Sequence, residues 1–305
     1  MYLKAMIFNL KIILLSLSLL ISVAHAETPS YQLLSYPFSS RSAAMGGTRA
    51  VDPSGTLEIN GNPASFSFLE SIQGQFGTIN HLVGIRGYSV LGVIPIDRHR
   101  LSAELIYFDY GLFDKTDIYG NNQSTFGFHE LASSIGYSFT FSEMIRLGGR
   151  LGRYQRQADG STSADFFYDL GAVIHNHEDS LSVGIYLSSI PIGDPTESFP
   201  SELRVGTSKI LSHLPLRLNI DGVYGFNGLF YFSAGGEILV HPQFRIRLGA
   251  NSNRFDLQTG VTESDFVAGM SAGFALEWDR ALMEMAAQSF GAAGWVNQLS
   301  ISFKL

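Results

Sequence analysis

From about residue 71 to the C-terminus, apolar and polar positions alternate with a period of two, the pattern of strands with one apolar and one polar face. Leu181, Val183, Ile185 and Leu187 alternate with Ser182, Gly184, Tyr186 and Ser188. Phe244, Ile246, Leu248 and Ala250 alternate with Gln243, Arg245, Arg247 and Gly249, and the last segment sets Leu299, Ile301, Phe303 and Leu305 against Gln298, Ser300, Ser302 and Lys304. The pattern predicts fourteen strands, near 70–79, 82–96, 100–110, 128–141, 143–156, 164–176, 181–189, 202–210, 215–225, 229–240, 243–252, 265–278, 280–290 and 295–305.

A soluble sandwich alternates in the same way, but two features separate the readings. Many of these segments run past ten residues, among them 128–141, 143–156, 229–240 and 265–278. Ordinary strands average about five to six residues, and tilted membrane strands need about nine to eleven. The connections also alternate: 97–99, 142, 177–180, 211–214, 241–242 and 279 are tight, while 111–127, 157–163, 190–201 and 253–264 are long and all fall on the other side. Tight turns at one end and long loops at the other are the arrangement of an outer-membrane barrel. The fold class is therefore all-β, a transmembrane antiparallel β-barrel of about 14 strands over 70–305. Aromatics near predicted strand ends, including Phe108, Phe141, Phe166, Trp278, Phe290 and Trp295, are candidates for its interfacial girdles.

Ahead of the barrel, residues 1–26 read as a signal peptide. Lys4 and Lys11 precede or border an apolar stretch over 12–23, and Ala24-His25-Ala26 is a small-residue cleavage site. Residues 27–69 show neither strand nor clean helix periodicity and are rich in Ser, Ala and Gly. A small, irregular segment before a barrel too wide for wall side chains alone to fill reads as a plug, expected at the periplasmic mouth. Within it, Gly46-Gly47 permits positive φ and close backbone approach, and Asn62-Pro63 favours extended or turn geometry ahead of Ala64.

The alternation places Glu104, Arg146, Arg150, Asp169, Arg204, Arg217, Glu237, Arg245 and Arg247 inward, as a lumenal charge network that holds the plug or lines a polar channel. Arg41 is the only cation in 31–47. Buried, it needs a carboxylate partner, with Glu104, Glu130, Asp169, Glu237 and Glu284 as candidates; the alternative is a solvated plug residue.

Composition narrows the chemistry. The chain has no cysteine, which excludes disulfides and thiol catalysis. Its formal charge of −7, or −9 once Lys4 and Lys11 leave with the signal, argues against nucleic-acid binding. Gly269-Met270-Ser271-Ala272-Gly273 matches G-x-S-x-G, but it lies inside a predicted strand rather than at the strand-to-helix elbow that chemistry needs. His175, His177 and Glu178 form a compact H-x-H-E group without an evident fourth ligand. No enzyme activity, cofactor or metal is predicted.

The block over 31–64 carries a resemblance. Tyr31, Leu34 and Pro37, then Ser40-Arg41-Ser42-Ala43-Ala44-Met45-Gly46-Gly47, Asp52 and Asn62-Pro63-Ala64, resemble the start of the PorQ family, outer-membrane components of the type IX secretion system related to PorV and more distantly to FadL barrels. The resemblance implies a non-enzymatic role in protein secretion and surface attachment in a Gram-negative outer membrane. It implies PorV, PorU and PorZ as partners besides outer-membrane lipid, with 111–127 and 190–201 as docking loops. The alternative is a FadL-like channel for hydrophobic small molecules, with an apolar lumenal pocket.

Overall fold

The computed structural model describes residues 32–260 and 262–305; the expected signal peptide and the first residues of the expected plug lie outside them. The strands are β1 (Gln73–Asn80), β2 (Arg86–Ile96), β3 (His99–Thr116), β4 (Asn122–Thr140), β5 (Ile145–Ala158), β6 (Ser161–Asn176) and β7 (Leu181–Ile192). They continue as β8 (Glu202–Ile210), β9 (Leu216–Gly225), β10 (Phe230–His241), β11 (Phe244–Asn251), β12 (Met270–Trp278), β13 (Ala281–Ser289) and β14 (Trp295–Lys304). Each pairs antiparallel with its neighbours in sequence, and β1 closes on β14 with Gln73 opposite Lys304 and Asn80 opposite Asn297. The sheet is a closed fourteen-stranded barrel. Closure leaves no unpaired edge, the condition a sheet must meet to stand in hydrocarbon.

The period of two becomes two faces. Outward positions such as Leu101, Leu105, Ile135, Leu147, Leu151, Leu170, Ile174, Ile185, Val205, Ile220 and Leu248 are exposed. Inward neighbours such as Glu104, Arg150, Ser182, Ser208, Asn219 and Ser300 are buried. An apolar belt around a polar interior suits a barrel with lipid outside. Phe141, Phe166, Phe226, Trp278 and Trp295 lie on the outer surface. Phe108 and Phe290 depart from the expected girdle: Phe108 is 4% exposed and meets the Phe38 ring at a tilt, and Phe290 packs against the same internal cluster.

The connections differ from the sequence reading in three places. Residues 111–127 are not a long loop, because β3 and β4 run on past the Asp109/Leu112 irregularity to a turn at 117–121. Asp117 Oδ1 closes that turn by accepting from the backbone N–H groups of Tyr119 and Asn121, both at 2.9 Å. Residues 157–163 shrink to the two-residue turn Asp159-Gly160, both at positive φ, a geometry whose twist matches the paired strands. The strand expected over 265–278 starts at Met270, because Thr262–Val267 is a short helix, α2.

Residues 32–69 lie inside the barrel. They form a 3₁₀ turn (Gln32–Ser35), helix α1 (Ser40–Ala44) and a second 3₁₀ turn (Pro63–Phe68), joined by irregular backbone. Leu33, Leu34, Phe38, Leu57, Ile59, Phe66 and Leu69 form one apolar cluster with wall residues that include Ile79, Leu91, Val93, Phe108, Tyr154 and Val296. The segment was expected at one mouth and instead spans the lumen. Tyr36 meets His81 and Phe108 at the long-loop end, while the Leu69 carbonyl accepts from Arg100 Nε at 2.5 Å near the tight turns.

Candidate functional site

The lumenal segment fits because the wall is thinned opposite it. Gly46 and Gly47 have φ of +71° and +86°, a left-handed bend that costs an L side chain but not glycine. The bend rests on the wall: a Cβ on Gly235 or Gly249 would run into the Met45 backbone. A Cβ on Gly148 would likewise meet the Pro63-Ala64 backbone. Ser271 fixes the bend from β12, its Oγ donating to the Ala44 carbonyl at 3.0 Å and accepting from the Gly46 N–H at 3.0 Å. The serine of the G-x-S-x-G match is thus engaged as a bracket for the segment.

Asn62 organises the other end. Its Oδ1 accepts from the Ala64 N–H at 3.0 Å, capping the turn that Pro63 begins. Its Nδ2 donates to the Ala50 carbonyl at 2.6 Å and to that of Ile185 at 3.2 Å, and the Pro63 carbonyl accepts from Ser138 Oγ at 2.6 Å. Between the two ends, Asp221 accepts from the backbone N–H groups of Arg49 and Ala50 at 2.7 and 2.8 Å.

The inward charges form three buried groups. In the first, Arg150 donates to Glu104 at 2.8 Å, to Asp169, to Tyr186 Oη at 2.8 Å and to Asn60 Oδ1 at 3.3 Å. Asn60 belongs to the lumenal segment, and its N–H also donates to Glu104 at 3.0 Å. In the second, Arg204 pairs with Glu202 at 2.8 Å, and Arg49 of the segment reaches the same carboxylate at 3.5 Å. In the third, Glu237 is shared by Arg247 at 2.7 Å, Arg217 at 3.2 Å and Arg41 at 3.9 Å, while Arg247 also meets Glu284 at 2.6 Å.

Arg41 is 1% exposed. Of the wall acids expected as its partners, Glu237 lies beside it; its nearer ion pair is with Asp52 of the segment itself, at 3.3 Å. Burial works against the Arg41 charge, and Asp52 and Glu237 outweigh it, holding its pKa above the ordinary value. Burial also opposes charge on Asp52, but Arg41, Arg217 and Ser54 bring its carboxyl below the usual range. Glu58, buried in the same region, is pushed up to about 8, chiefly by burial.

Two expected members stand apart from the buried groups. Arg245 pairs with Glu277, which also binds Lys304 at 2.7 Å, at the tight-turn end. Arg146 forms no ion pair among the described residues; it lies over the Phe68 ring at 4.0 Å. Arg49, Glu58, Asn60, Glu202 and Asp221 were not singled out from the sequence, and Asp52 was noted in the resemblance but not as a partner of Arg41. Period-two alternation assigns no face to an irregular segment, and Glu202 starts its strand.

At the long-loop end a cavity of about 400 Å³ sits above the second group. Tyr36, Pro37, Phe199, Leu229, Tyr231 and Phe290 supply much of its apolar wall, and Arg49, Glu202 and Arg204 lie in its floor.

The closed barrel, its apolar outer belt and its filled lumen define a β-barrel protein of the Gram-negative outer membrane. No family model and no curated protein matches the sequence. Solved structures do. The CymD monoaromatic hydrocarbon channel superposes with a TM-score of 0.62 at 11% identity, over 90% of this chain and 99% of that one. The toluene transporter TbuX of Ralstonia pickettii gives 0.60 at 11% identity, over 88% and 98%. The toluene transporter TodX of Pseudomonas putida gives 0.52 at 12%, over 87% and 96%. These likenesses are to the fold of FadL-type channels, and none of them supports the assignment to type IX secretion.

Proposed function

We propose that this chain is an outer-membrane channel for small apolar molecules. The observation that supports this most is the barrel fold itself, which superposes over 87–90% of this chain on two toluene transporters and a monoaromatic hydrocarbon channel. The cavity at the long-loop end is consistent with it, offering aromatic and proline surfaces above a closed polar layer. A small apolar ligand would rest on Phe199, Phe290 and Tyr36, and the lumenal segment beneath it would act as the gate.

The test is uptake of radiolabelled toluene by a Gram-negative host that lacks hydrocarbon channels. Cells carrying the chain are expected to take up toluene faster than cells with an empty vector. Phe199→Asp, which places a charge in the cavity wall, is expected to lower that gain. Equal uptake with and without the chain rejects the proposal.

A further inference from the structure

The tight-turn end holds a second cavity, about 750 Å³ in volume, that the channel reading does not use. Phe68 of the lumenal segment lies on one side of it; Arg98, Arg100, Arg146, His175 and His177 come from the barrel wall.

Two of these cations lack a carboxylate partner. Arg146 is 8% exposed, its guanidinium lies over the Phe68 ring at 4.0 Å, and its Nη1 donates only to the Glu143 carbonyl, at 3.3 Å. Its Nε is buried and bonds to nothing. Arg100, also 8% exposed, donates to the carbonyls of Leu69, Asp97 and His99 at 2.5, 2.8 and 2.9 Å. Neither arginine forms an ion pair among the described residues, and both line the same cavity. The acids lining the cavity, Glu70 and Asp97, are exposed. Lys304 is already committed to Glu277. Elsewhere in this lumen, Arg41, Arg49, Arg150, Arg204, Arg217 and Arg247 all have a carboxylate within 4 Å.

Like charges that are mostly withdrawn from water repel more strongly than in solution. A guanidinium that lies over an aromatic ring and has no carboxylate partner still has N–H donors to offer an oxyanion. We propose that this end of the barrel is an oxyanion site for a small carboxylate- or phosphate-bearing solute, with Arg146 as its main ligand-binding charge. Arg100 adds to the local field, and His175, whose Nδ1 is 2.8 Å from Ser182 Oγ and whose Nε2 is 3.2 Å from His177 Nδ1, borders the site. The site stands independently of what passes through the channel.

Isothermal titration calorimetry on the full chain in a nonionic detergent tests this, with acetate, benzoate and inorganic phosphate as separate probes. Saturable binding of at least one is expected, and the strongest probe identifies the oxyanion class. Arg146→Gln is expected to weaken it tenfold or more. Arg146→Lys keeps the positive charge but loses the planar fork, and is expected to bind more weakly than the parent chain and more tightly than Arg146→Gln. Native barrel mobility on unheated gels checks that each variant is folded. No saturable binding of any probe overturns the proposal, and so does unchanged affinity in both variants.

Discussion

Arg247 and Glu284 meet at 2.6 Å inside the barrel, with both side chains wholly buried. Their neighbours Arg41, Arg217, Asp52 and Glu237 complete a set of three guanidiniums and three carboxylates. Burying charge is costly unless every member is compensated. Glu237 touches three of these arginines, so its replacement leaves the most charge uncompensated. Glu237→Gln is expected to destabilise the folded barrel by about 3–5 kcal/mol, read as a lower urea midpoint in detergent. A loss no larger than that of a surface substitution would contradict the compensation argument.

Glu58 is the surplus acid of that region. Its folded carboxyl holds a proton up to about pH 8, against an ordinary value of 4.5. Between those values the folded state binds more protons than the unfolded one, so stability falls as pH rises. The contribution is fully present below about 4.5 and gone above about 8. Glu58→Gln is expected to flatten the dependence of the urea midpoint on pH over that window; an unchanged slope would show that another group sets it.

The bracket between Ser271 and the bend at Ala44–Gly46 gives a narrower test. Ser271→Ala removes one donor and one acceptor that serve buried backbone groups, at a cost of about 1–3 kcal/mol. Gly249→Ala places a methyl group against the Met45 backbone. Both changes act on the segment rather than on the strand ladder. They are expected to increase protease cleavage within 32–69 while the barrel keeps its native mobility on unheated gels. Unaltered cleavage in both would mean the segment is held elsewhere.

The outer part of the β3–β4 hairpin is a separable element. Residues 111–116 are exposed, and Asp117 closes the turn by local hydrogen bonds. Replacing 112–126 with a two-residue Asn-Gly turn is expected to leave barrel assembly and the urea midpoint almost unchanged, since surface positions contribute little. Failure to assemble would show that the extension takes part in folding.

The wall was legible in the sequence because lipid and lumen impose opposite demands on successive residues, and Leu181–Leu187 or Phe244–Ala250 record them directly. The hairpin extension was not: from Gly111 to Thr116 both faces of β3 are exposed, so Asp114, Lys115 and Ser124 read as a loop. Phe108 was misplaced because an aromatic near a strand end suits either an interfacial girdle or an internal cluster. The motif residues Gly46, Gly47 and Asn62 could be read for backbone conformation, since φ and capping are local properties. Their wall partners could not. Gly46 and Ser271 are 225 positions apart, and only barrel closure brings them together.

That closure also ties the segment to the whole wall. The segment stands immediately before β1, and β1 must pair with β14 to seal the wall. Its contacts reach Ser138, Ile185, Asp221 and Ser271, on four strands spread around the circumference. Neighbouring strands hold one another only along the ladder, whereas these contacts join β4, β7, β9 and β12 to one internal chain. The segment thereby works as a hub, cross-linking through the centre a wall that is otherwise bonded only around its rim.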